Sequence, residues 1–137
     1  MANDPGPVWG TLDPFVEDGP ILGRKVANTG FLRALLAADP FSQYHFFLPD
    51  RRSGQALEAF VRAACPGAAP RVRILPRTAL PEFLGSTTYH CFHLSDCLTH
   101  QGFLAAVRNR LARNVFPITG VTHSLSHASA SGVHVAR

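Results

Sequence analysis

The chain has 137 residues, 46% of them apolar and 16% charged, with a formal net charge of +4. That length fits one domain with a real core, and that composition excludes a disordered chain. No apolar run approaches the roughly 18 residues that a membrane span needs, so no membrane span is expected. Residues Met1 to Pro7 show no basic stretch followed by an apolar one, which argues against a signal peptide and for a cytoplasmic location. Lys25 is the only lysine, and the arginines are scattered from Arg24 to Arg137. Phosphate-tracking proteins gather such charge into one stripe or arm, so nucleic acid is not an expected partner. Cys65, Cys91 and Cys97 are odd in number and read as reduced thiols.

Val8 to Leu12 is a short apolar run closed by Asp13-Pro14 and predicts a first strand. A loop rich in proline and glycine follows, from Asp13 to about Asn28. Asn28 or Thr29 is suited to cap a helix whose apolar stripe is Phe31, Leu32, Leu35 and Leu36, with Asp39-Pro40 as its stop. Tyr44 to Leu48 predicts a second strand, apolar enough to be covered on both faces. Ser53 is the expected cap of the next helix, which buries Leu57, Phe60 and Val61 and ends at Cys65-Pro66-Gly67. Arg71 to Leu75 alternates, as a strand near a sheet edge does. A helical turn over Thr78 to Leu84 and a strand from Tyr89 to Leu94 come next. The helix from about Leu98 to Arg113 is expected to bury Phe103, Leu104, Val107 and Leu111. Phe116 to Thr122 predicts a fifth strand.

Strands and helices alternate with connections too long for hairpins. The expected fold is therefore α/β, a Rossmann-like three-layer sandwich with a parallel sheet of about five strands, spanning residues 1–125. The tail from Ser126 to Arg137 has small residues and no apolar period, and is expected to be disordered.

Ligands of open α/β sheets bind beyond the carboxyl ends of the strands. That rule selects the first loop, Asp50 to Ser53, Ser95-Asp96, and Thr122 to Ser126. Glycines and a helix N-terminus suit an anion, and Arg24 with Lys25 adds charge, although neither a Walker loop nor G-x-G-x-x-G is present. His123 has an ordinary pKa near neutrality and suits proton transfer from a hydroxyl. Ser124 beside it lacks the G-x-S-x-G elbow of a hydrolase. Cys91, His93, Cys97 and His100 are zinc-type ligands at a spacing foreign to fingers and ribbons, so no metal is assigned. Of the carboxylates Asp13, Glu17, Asp18, Asp50 and Asp96, the first and last are the strongest candidates for chemistry.

Val8-Trp9-Gly10-Thr11-Leu12-Asp13-Pro14, the stretch from Gly23 to Phe31, and Phe116 to Ser124 together resemble bacterial GT-B glycosyltransferases of the group 1 type. The likeness covers about residues 8 to 126 on the α/β reading. It implies the N-terminal, acceptor-side half of an enzyme that moves a sugar from a nucleotide-sugar donor to a sugar-type acceptor without a metal or other cofactor. It places Gly23, Arg24, Lys25, Asn28, Thr29 and Gly30 toward the donor diphosphate. Asp13 and His123 would be catalytic near the acceptor, with Asp96 and Ser124 binding substrate. A second, donor-binding domain does not fit within the chain, which is then expected to be inactive alone. The competing expectation is a stand-alone flavodoxin-like or Rossmann-like nucleotide-binding module.

Overall fold

A computed structural model describes residues 6–16, 23–96 and 98–121, and for Gly23 and Arg24 only the backbone. Five strands form one sheet: β1 (Val8–Thr11), β2 (Gln43–Leu48), β3 (Val72–Pro76), β4 (Cys91–Leu94) and β5 (Ile118–Gly120). The helices between them are α1 (Gly23–Ala38), α2 (Arg51–Ala64), α3 (Leu80–Ser86) and α4 (Gln101–Leu111). Every pairing is parallel, and the strand order is β3-β2-β1-β4-β5. The chain thus makes an α/β, Rossmann-like sheet, with the alternating strand at Val72–Pro76 at one edge, as its pattern implies.

Two cores lie on opposite faces. Trp9, Tyr44, Phe46 and Leu48 point to one side and pack on Leu32 and Leu36 of α1 and Leu57 and Val61 of α2. Val8, Leu12, Phe47, Phe92 and Leu94 point to the other and meet Leu80 and Leu84 of α3 and Leu104 of α4. The period-2 alternation of strand side chains produces this division. Gly10 permits the closest approach: a Cβ there would lie 2.5 Å from a ring carbon of Phe92.

Several local expectations need correction. Helix α1 starts at Gly23, so Asn28 and Thr29 lie in its second turn and do not cap it. Asp50, not Ser53, caps α2, its Oδ1 accepting from the Ser53 amide at 2.8 Å. In α4 only Leu104 is fully buried; Phe103 is 57% and Leu111 48% exposed, and Val107 lies between. The helix turns Leu104 inward and Phe103 outward, while Leu111, its last residue, is exposed at the end of the Leu104 row. The predicted strand at Tyr89 to Leu94 begins only at Cys91, and the last strand is trimmed to Ile118–Gly120. Thr122 and the tail lie outside the described residues.

Candidate functional site

The chain leaves β1 toward β2 on one side and leaves β4 toward β5 on the other. Their connections therefore diverge, opening a crevice above the carboxyl ends of β1 and β4, where ligands of such sheets bind.

The β1 side of the crevice is Leu12-Asp13-Pro14-Phe15. Asp13 Oδ2 accepts a 2.7 Å hydrogen bond from the Ser95 amide, which latches the end of β1 to the end of β4. Thr11 Oγ1 accepts from the Asp13 amide at 3.1 Å and sets the turn. Arg77 ties the neighbouring strand ends together, with Nη2 donating to Leu12 O at 2.6 Å and Nε to Phe47 O at 3.3 Å. Phe15 is held at φ 62°, a left-handed conformation that a bulky residue keeps only when its surroundings enforce it. Its ring is buried against Trp9 at 6.1 Å and Phe31 at 5.5 Å.

His93 projects from β4 on the α1 side, stacked on Phe31 at 4.5 Å between ring centres and near Phe15 at 6.1 Å. Its Nδ1 is 2.8 Å from Oγ1 of Thr119, its register partner on β5. The Thr119 hydroxyl donates to Phe92 O at 3.4 Å. With the hydroxyl proton so placed, its oxygen can accept from His93 Nδ1–H, the tautomer that leaves the lone pair on Nε2. Nε2 is buried and has no partner among the described residues. Burial holds the imidazole below its ordinary pKa of 6.5, against the opposing pull of the Asp13 carboxylate, so the ring is neutral near pH 7.

Asp96 shapes the β4–α4 loop. Oδ1 accepts from the Leu98 and Thr99 amides, both at 2.8 Å, and Oδ2 from the Thr99 hydroxyl at 2.7 Å. Burial pushes this carboxyl up, but those donors outweigh it and hold the pKa below the ordinary carboxylate value. Gln101 donates to Asp96 O, and a Cβ on Gly120 would lie 2.6 Å from that oxygen. Gln101 Oε1 is the other buried acceptor without a partner among the described residues. It belongs to the α4 side of β5, opposite His93, because Gly120 follows Thr119 in the alternation.

The structure thus brings Asp13 and Asp96 to one end of the sheet, with both committed to backbone donors. Asn28 is buried within α1, and the Thr29 hydroxyl donates to Lys25 O and Val26 O, both 3.1 Å. Gly30 faces open space. The amides of Asn28, Thr29 and Gly30 lie inside a helix that starts at Gly23, so they are spent on its ladder. Gly23, with Arg24 and Lys25 after it, opens that helix. His123 and Ser124, together with Glu17, Asp18 and Cys97, lie outside the described residues. Sequence reasoning missed His93 and Arg77 as parts of the crevice. The register that sets His93 beside Thr119 is the signal that counts, and no local motif carries it.

A groove of about 530 Å³ lies elsewhere, between α2 and the edge strand β3. Its acid, Asp50, is occupied as the α2 cap, and neither partnerless buried atom lines it. The strand reversal, the strained Phe15 and the open His93 nitrogen all favour the crevice instead. No helix among the described residues is long and apolar enough to cross a membrane. Compared with known protein families, curated proteins and solved structures, the chain matches none.

Proposed function

We propose that this chain is the acceptor-side half of a sugar-transfer cleft, the N-terminal Rossmann-like part of a GT-B type glycosyltransferase, without transfer activity on its own. One observation carries the reading: the end of β1, where a dinucleotide-binding fold would place glycines for a pyrophosphate, holds Asp13, latched to Ser95, and a buried Phe15. A carboxylate repels phosphate and attracts hydroxyl donors. A neutral imidazole and the rings of Phe15 and Phe31 beside it suit the mixed polar and apolar faces of a sugar. The same strand order favours the second reading, a stand-alone nucleotide-binding module, because it is the order of dinucleotide-binding folds.

Amide chemical shifts of the ¹⁵N-labelled chain discriminate the two. Methyl α-D-glucopyranoside should shift Asp13, Leu94 and Ser95 saturably, while sodium pyrophosphate leaves them in place. UDP-glucose should be neither hydrolysed nor transferred. Saturable binding of UDP with no preference for an attached sugar would establish the nucleotide module instead.

A further inference from the structure

Buried polar atoms are almost always hydrogen-bonded, and leaving one unpaired costs about 1–3 kcal/mol. Among the described residues His93 Nε2 has no partner, and it lies near the carboxyl end of β4, where sheets of this strand order bind ligands. Its ring is not loosely placed. Phe31 covers one face, and Thr119 holds Nδ1 at 2.8 Å. Phe92 O, 3.4 Å from Thr119 Oγ1, offers the hydroxyl proton an acceptor, which allows Oγ1 to accept from His93 Nδ1. A fixed, neutral ring with its lone pair on Nε2 can accept a hydrogen bond and cannot give one.

Three features of the surroundings narrow what would fill this place. Asp13 adds a second acceptor-only group and a negative charge near the ring, which disfavours phosphate and carboxylate ligands. Thr119, the register partner of His93 on β5, is exposed, so that side of the pair faces solvent. Phe31 is only partly buried and offers an apolar ring at the same place. Hydroxyl groups on an otherwise apolar face satisfy all three.

We infer that His93 Nε2 is a recognition point for a hydroxyl of a neutral, sugar-like ligand, with Thr119 as the residue that fixes its tautomer. This deepens the acceptor-side reading above and rests on it. The unpartnered nitrogen costs stability where it would serve recognition, so function and stability oppose each other there. Replacing the ring by phenylalanine keeps the stacking and removes the unpaired atom.

The test uses the full chain, its His93→Phe and Thr119→Val variants, methyl α-D-glucopyranoside and inorganic pyrophosphate. Long-range ¹H–¹⁵N spectra of the free chain should show His93 as the Nδ1–H tautomer; the Nε2–H tautomer would overturn the inference. His93→Phe should raise the melting temperature and weaken glycoside binding by about tenfold, the worth of one hydrogen bond. Thr119→Val leaves the imidazole present on an exposed position, and should mix the tautomers and weaken binding several-fold. Equal glycoside shifts at Asp13 and Ser95 in the wild type and both variants would refute the role of His93 while leaving the acceptor-side reading standing. Shifts produced by pyrophosphate but not by the glycoside would refute both.

Discussion

His45 sits at the centre of β2, 2% exposed, between two neutral partners. Nε2 is 2.7 Å from Gln43 Oε1, and Nδ1 is 2.8 Å from the Tyr89 hydroxyl. The amide oxygen can only accept, so Nε2 carries the proton and Nδ1 accepts from Tyr89. Burial, with a smaller push from the charge of Arg73, lowers the pKa from 6.5 to about 4. The unfolded chain therefore binds a proton between pH 6.5 and about 4 that the folded chain refuses, so stability falls as the pH drops through this window. Above it the contribution is complete; below about pH 4 both states are protonated and no more is lost. At 1.36 kcal/mol per tenfold change, the loss from pH 7 to about pH 4.5 amounts to ~2 kcal/mol. In urea titrations that is a fall in midpoint of about 1 M, followed by the fluorescence of Trp9, the only tryptophan. His93, also lowered by burial, adds a loss of the same sign, so the contrast with His45→Gln isolates His45. The variant can be less stable at pH 7, but its fall between the two pH values should be smaller by ~2 kcal/mol. An equal fall in both proteins would refute the reasoning.

Three further substitutions probe the packing. Gly10→Ala drives a Cβ to 2.5 Å from Phe92, whose ring is held by Tyr89 and Phe116, both 4.8 Å away, and should destabilise by ~1–3 kcal/mol in urea unfolding. Leu104→Ala should cost ~2–5 kcal/mol while Phe103→Gln, one residue earlier, changes stability by less than about 0.5 kcal/mol; equal costs would show that α4 is rotated from the orientation described. Asp13→Ala removes the latch to Ser95 and should cost ~1–3 kcal/mol. Hydrogen exchange should quicken at the Ser95 amide more than at Phe46, in the middle of β2.

The strands were legible because their chemistry is local. Tyr44 to Leu48 is buried throughout, and its unbroken apolar run announces that. The start of α1 was not, because Asn28 and Thr29 have capping side chains whereas Gly23-Arg24-Lys25 has none, and the true first turn gives no sequence signal. In α4, Phe103, Val107 and Leu111 form a genuine helical stripe, but Leu104, Val107 and Leu111 form another. Periodicity does not say which one the sheet selects, and the structure buries only Leu104 fully. The crevice was legible in outline, through Asp13 and Ser95-Asp96 at strand ends. In the sequence alone His93 reads only as a zinc-type ligand, since its partners, Phe15, Phe31 and Thr119, lie far along the chain from it and from one another.

The earliest of the described strands lies at the middle of the sheet, and this has a consequence for assembly in time. β1, β2 and β3 can join by successive neighbouring crossovers, but the latch joins Asp13 to Ser95 across 82 residues. Closing so long a loop is entropically unfavourable and makes the pairing of β4 with β1 a late, slow step. During synthesis at about 5–20 residues per second, the free edge of β1 waits several seconds or longer for its neighbour. Pairing of β4 with β1 and creation of the crevice are then one event, and a chain halted before β4 has no binding place at all.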